Sequence, residues 1–173
     1  MFGWWAGIIA AHHRELYEEF ANQVGTEVDD TQASAFLMSH ILGVSYAPEQ
    51  YKLRVPLWKE PDGTLVCAAE VPQGALTRIM AAEDEAIIRS GQHAVELAQA
   101  RLGSVPYAGA LVFECVATRL RLGGQFAEEV AGMKQALGDV PFIGCNSYGQ
   151  LARVSGEFTG LMDATALVCL IPE

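Results

Sequence analysis

The stretch from Ala108 to Leu151 limits what this chain can fold into more than any other. It opens with Ala-Gly-Ala-Leu-Val-Phe-Glu-Cys, an apolar run that ends at Cys115. Val-Ala-Thr-Arg-Leu-Arg-Leu-Gly-Gly follows, then a helix-like run to Leu137, then a second apolar run from Phe142 to Cys145. A continuous apolar run suits a central strand covered on both faces. Strand, basic glycine-bearing loop, amphipathic helix and strand together make a crossover unit. Such units gather ligands at the carboxyl ends of their strands, here the edge marked by Cys115 and Cys145. No catalytic signature accompanies the stretch, so the expectation is a binding domain and no enzyme.

The flanking segments supply the rest of a fold. Ala33 to Val44 is short and apolar, and its period fits strand or helix. Tyr51 to Trp58 alternates apolar and polar residues, which predicts one half-buried strand. Pro61-Asp62-Gly63 is a turn signal, so Thr64 to Val71 is expected to pair back as a hairpin. Pro72-Gln73-Gly74 turns the chain again into a third antiparallel strand, Leu76 to Ala81. Asp84 is expected to cap a helix reaching about Leu102, with Ile87, Ile88, Gly91, Ala94, Val95, Ala98 and Leu102 as its apolar stripe. Gly103 and Gly138 stop the two helices, the second running Gln125 to Leu137 with Phe126, Val130, Met133 and Leu137 inward. Gly149 bends the chain, Gln150 to Val154 is extended, and Ala164 to Ile171 is a buried closing strand. The predicted class over residues 26–173 is mixed α/β. It has an antiparallel meander, a strand–helix–strand unit and helices packed on a mixed sheet.

Residues 1–25 read as an amphipathic helix through Trp5, Ile9, Leu16, Phe20 and Val24, ending at Gly25. Its first turns are apolar nearly all round. Phe2, Trp4, Trp5, Ile8 and Ile9 are therefore expected to cover another surface: a second copy in a homodimer, a neighbouring domain, or this domain's own core. The apolar start is too short to span a bilayer and has no basic leader, so neither membrane insertion nor a signal peptide is expected.

Composition narrows the partners. At 173 residues and 51% hydrophobic, the chain can bury a real core as one domain. Its net charge of −10 argues against nucleic acid and anionic lipid surfaces. Four cysteines without a Cys-x-x-Cys pair fit buried, reduced thiols in a cytoplasmic protein.

The candidate ligand residues follow from this. Arg119, Arg121, Gly123 and Gly124 precede a helix, where free N–H groups and the dipole favour a carboxylate or phosphate; solvated arginines are the plainer reading. Asn146, Ser147, Tyr148 and Gln150 follow a buried strand and suit either ligand hydrogen bonds or a turn. Arg54 and Arg78 lie on strands, exposed or ion-paired, or aimed at an anionic ligand over the sheet. Cys115 and Cys145 fit core cysteines better than nucleophiles, since no histidine is placed beside them. His40 reads as a hydrogen-bonded core residue. It is also the first candidate, with His93, were a haem or metal bound. His12, Glu15 and Glu19 share a helix face that is more simply solvated than metal-binding.

The order of several motifs resembles the C-terminal half of FIST domains, bacterial sensory input modules. The carriers are Leu37–Gly43, Tyr51-Lys-Leu-Arg-Val-Pro-Leu57, Asp62-Gly-Thr-Leu65, Val71-Pro-Gln-Gly74 and Ala110-Leu-Val-Phe-Glu-Cys115. Leu122-Gly123, Ala136-Leu-Gly-Asp-Val-Pro141, Ile143-Gly144, Tyr148-Gly149 and Thr165-Ala-Leu-Val168 continue the series. The resemblance runs from about Leu16 to the end. It implies a small ligand, proposed for the family to be an amino acid or similar metabolite, coupled to a signalling output protein. It also implies a haem-based nitric oxide sensor as an alternative. Three positions depart from the family pattern: Thr118 where an arginine is usual, Gln150 for a glutamate, and Met162-Asp163 for His-Asn. The expectation is a cytoplasmic, non-catalytic module for an amino acid or similar anionic metabolite, with no resident cofactor. Cys115, Arg119, Arg121, Gly123, Gly124, Asn146, Tyr148, Gln150 and Arg54 are its candidate contacts.

Overall fold

The computed structural model describes residues 7–8, 33–60, 65–154 and 158–173. The chain divides into two compact units, Met1–Ala81 and Ala82–Glu173. Both combine helix and strand, so the class is α/β as expected. The strands form four small sheets of two or three strands, where one mixed sheet was expected.

In the first unit the ambiguous apolar stretch is both things its period allows. It is helix α1 (Ala33–Ser39), then strand β2 (His40–Ala47). β2 is the middle of an antiparallel sheet between β3 (Gln50–Arg54) and β6 (Thr77–Ala81). A second sheet has the order β1 (Gly7–Ile8), β5 (Leu65–Cys67), β4 (Pro56–Lys59). The single strand expected from Tyr51 to Trp58 is therefore two, β3 and β4, in different sheets. Pro56 lacks the N–H a continuous ladder needs, and the chain changes sheet there. The β4–β5 hairpin forms as expected. β6 pairs with β2 instead of β5, which places Ile79 opposite Leu42 and closes the core over it. That core joins Phe36 and Leu37 of α1, Leu42 and Val44 of β2, Leu65 and Cys67 of β5, and Val71. Each such side chain contributes roughly 1.5–3 kcal/mol by leaving water. Gly7 and Ile8 are a strand on the edge of β5, where a helix was expected; an edge strand offers unpaired N–H and C=O groups that a short apolar segment can join. The rest of that predicted helix, Trp4, Trp5 and Ile9 included, lies outside the described residues.

The second unit holds the stretch that opened the sequence reading. Helix α2 (Asp84–Leu102) leads into β7 (Tyr107–Cys115). Helix α3 (Val116–Leu122), a 3-10 turn (Gly123–Gln125) and helix α4 (Phe126–Leu137) return the chain to β8 (Phe142–Ser147). An antiparallel pair, β9 (Gln150–Val154) and β10 (Phe158–Met162), precedes β11 (Ala166–Pro172). β7 is central, parallel to β8 and antiparallel to β11. Its buried residues Ala110 and Val112 meet Val95 of α2, Met133 and Leu137 of α4, and Leu170 of β11. Both helices stop as predicted at glycines with positive φ, 69° at Gly103 and 66° at Gly138, a geometry that favours glycine. Glu83, and not Asp84, takes the cap position of α2.

Two expectations for this unit need correction. The helices bury one alternation of β7, while on the other Phe113 stays 39% exposed. The basic stretch after Cys115 is helical, not a loop: Thr118 and Leu122 are four apart and buried, so one face of α3 is anchored.

Candidate functional site

The carboxyl edge of the parallel pair β7–β8 is built largely by α3. This helix leaves β7 directly at Cys115, whose N–H donates to Glu114 Oε1 at 2.9 Å. The Thr118 hydroxyl also donates to the Glu114 carboxylate. An internal carboxylate thus accepts the Cys115 N–H where β7 passes into α3. Burial pushes the Glu114 carboxyl upward, while these two hydrogen bonds pull it partly back.

The basic candidates have separate engagements. Arg121 ion-pairs with Asp84 at 3.2 Å and donates to the Ala82 carbonyl, which ties α3 to the start of α2. Arg119 is exposed, its guanidinium 5.1 Å from the centre of the Phe126 ring. Gly123 and Gly124 are exposed in the 3-10 turn, and the Phe126 N–H is already given to the Gly123 carbonyl. So these four residues do not converge on one point. Arg54 belongs to the other unit and is 6% exposed. Its Nε donates to the Glu70 carbonyl at 2.9 Å and its guanidinium also donates to the Leu53 carbonyl at 2.8 Å.

Of the polar candidates at the end of β8, Ser147 and Gln150 are bonded to each other. Asn146 stands in register with Glu114, and Ser147 with Cys115. Asn146 is exposed and Tyr148 is 74% exposed. Gln150, only 3% exposed, donates from Nε2 to Ser147 Oγ at 2.9 Å. Its Oε1 has no hydrogen-bond partner among the described residues. Cys115 is buried and Cys145 exposed, and all four cysteines are free thiols.

Sequence reading missed two carboxylates. Glu114 shares the helix-facing alternation of β7 with Ala110 and Val112 and is 4% exposed. Glu129 of α4 is fully buried. It sits four residues before Met133 and eight before Leu137, so it lies on the apolar stripe; that spacing was the available signal. Burial first, and the charge of Glu114 second, push its carboxyl up to about 8. Thr118, Gln150 and Asp163, three of the departures from the family pattern, are all buried polar residues of this unit.

No group of three or more His, Cys, Asp or Glu side chains comes together among the described residues. The Phe36 carbonyl can only accept, so His40 Nδ1 donates to it at 3.0 Å, and the ring stacks on Phe36. His40 is thus a partly buried residue with hydrogen-bond partners, the plainer of its two readings. His93 is exposed beside Glu96, at 3.5 Å. An open cleft of about 520 Å³ between α2 and β11, lined by Leu97, Arg101, Leu102, Met162 and Cys169, includes no histidine.

Residues 14–153 match the model of the FIST C domain. That is most of the 173-residue chain, and the protein belongs to the FIST C domain family, associated with sensing in signal transduction. No curated protein and no solved structure gave a match.

Proposed function

We propose that the chain is a non-catalytic sensory module that binds a small amino-acid-like metabolite at the carboxyl edge of β7 and β8. The observation that carries this is Gln150. A buried amide with one end fixed on Ser147 and the other unpartnered, beside solvent-facing Asn146 and Tyr148, is a hydrogen-bonding site awaiting a donor. The α3 helix lies against the ends of both β7 and β8 and presents the exposed Arg119, a counter-charge for the ligand's carboxylate. The family's sensory role supports the reading, and the free thiols suit work in the cytoplasm.

The test is isothermal calorimetry with the proteinogenic amino acids, one at a time. Saturable binding that weakens at least tenfold in Gln150→Ala, with an unchanged fold, is the expected result. No heat with any of them, or equal affinity in the variant, would overturn the assignment.

A second reading concerns output. Ile143 is 71% exposed and Leu151 78%, on strands that adjoin the ligand edge. We propose that this apolar surface receives a signalling protein. Ile143→Asp abolishing signalling in a reconstituted pathway, with ligand affinity kept, would support that role.

A further inference from the structure

We propose that the buried Glu129, in the same unit as the buried Glu114, is a proton-binding site that clamps α4 to the sheet and loosens it when its proton leaves. Two acids of the second unit, Glu114 on β7 and Glu129 on α4, are nearly or wholly withdrawn from water, and the charge of Glu114 bears on Glu129. Both oxygens of Glu129, and Oε2 of Glu114, lack a hydrogen-bond partner among the described residues. Two charged carboxylates held this way would each forfeit hydration and repel the other. One positive charge resolves the conflict, and an enclosed pair takes the smallest one, a proton. At Glu114 burial raises the carboxyl, and the Cys115 N–H and the Thr118 side chain partly offset that by favouring its charged form. Glu129 is the member that keeps the proton, with no donor to stabilise its anion.

No other described charge competes for the role. On α2 the residue against Glu129 is Gly91, whose absent side chain leaves the room: a Cβ there would lie 2.7 Å from Glu129 Cγ and 2.6 Å from Met133 Cε. The charged residues of α2 point elsewhere, Glu85, Arg89, His93, Glu96 and Arg101 being exposed and Asp84 held by Arg121. On α3, Arg119 is exposed over Phe126, and Arg121 is on Asp84. On α4 itself Glu128 and Lys134 are exposed. β8 brings only the exposed Cys145 and Asn146, β7 the buried Cys115 thiol, and β9 begins with the neutral Gln150.

The position gives the proton a consequence. Glu129 is in the first turn of α4, joined through the 3-10 turn to α3, the helix that forms the carboxyl edge. Ionising Glu129 loosens the start of α4, and with it the platform of the ligand edge. The inference does not depend on a ligand being found there.

The experiment is the melting temperature of the full chain from about pH 5 to about pH 9, for wild type and Glu129→Gln, with carboxyl carbon NMR of labelled glutamate alongside. The wild type is expected to lose several degrees across one proton's titration near the upper end. The variant, isosteric and never ionised, is expected to be flat through that step and to melt above wild type at the alkaline end. A Glu129 carboxyl resonance that titrates in the ordinary range, or a step that persists in the variant, would overturn the proposal. Were the variant not to fold, the wild-type resonance alone decides. Recovery of the alkaline melting temperature by potassium or methylammonium chloride, with sodium as control, would also overturn it, in favour of a cation site.

Discussion

Arg54 and Glu129 are both ionisable and both buried, and the two units treat them in opposite ways. Arg54, in the first unit, gives its guanidinium to two backbone carbonyls, of Leu53 and Glu70, and so fastens two turns of chain. Glu129, in the second, has no hydrogen-bond partner on either oxygen among the described residues. The contrast extends past the pair: among the described residues, the buried side chains with an unpartnered oxygen, Glu114, Glu129 and Gln150, all lie in the second unit. A buried polar group that is satisfied holds a fold together, while one left unsatisfied marks a place where something else completes it. Among the described residues the first unit's buried charge is satisfied, and the second unit keeps buried oxygens that are not.

Breaking the satisfied side has the largest expected effect. Arg54→Met strands the Glu70 and Leu53 carbonyls and is expected to cost about 2–4 kcal/mol in urea unfolding. A loss below about 1 kcal/mol would mean that water reaches both carbonyls and that the arginine is no rivet.

Gly91→Ala tests the second unit. The added methyl meets Glu129 and Met133 closer than real contacts allow, and their side chains must give way. Alanine's better helix propensity returns roughly 1 kcal/mol, so the net loss is expected at about 1 kcal/mol, read in the same unfolding assay. A net gain would show that the α2–α4 contact has slack.

Glu129→Leu sharpens the contrast by its sign. The folded carboxyl sits at about 8, above its unfolded value. The folded state therefore keeps a proton that the unfolded chain has lost across the interval between those values. Its stability is full below the unfolded value and falls as pH rises toward about 8. Leucine removes that dependence and is expected to stabilise by roughly 1–2 kcal/mol at alkaline pH, with little change in acid. Destabilisation at all pH values would instead make Glu129 a satisfied residue like Arg54. The smallest effect belongs to Arg121→Ala, under about 1 kcal/mol, because Asp84 is 43% exposed and water screens the pair.

The sequence showed the second unit's frame more clearly than its site. The Ile87-to-Leu102 stripe, the glycine stops at Gly103 and Gly138, and the two apolar runs before and after α4 place α2, β7, α4 and β8 to within a residue or two, because period and punctuation are local signals. Strand partners are not local, and β6 went to β2 for that reason. The α3 helix was missed because Arg-Leu-Arg-Leu before Gly-Gly reads as a basic loop until Thr118 and Leu122 are seen buried on one side. At the site, Gln150 is bonded to Ser147 at the end of β8, with Asn146 and Tyr148 exposed on the same stretch. The Arg119, Arg121, Gly123 and Gly124 cradle did not form, since Asp84 takes Arg121, Arg119 lies over the Phe126 ring, and the Phe126 N–H is given to the Gly123 carbonyl. Glu129 was legible by its spacing from Met133 but was passed over because an acid on an apolar stripe is expected to be exposed.

The account stands most directly on whether the β7–β8 edge binds a small molecule. The deciding measurement is a map of backbone amide shifts in the labelled full chain as a mixture of amino acids is added. The account predicts shifts concentrated at residues 114–124 and 146–151, saturating with concentration and lost in Gln150→Ala. Saturating shifts confined to the first unit, or a spectrum that does not move, would contradict it.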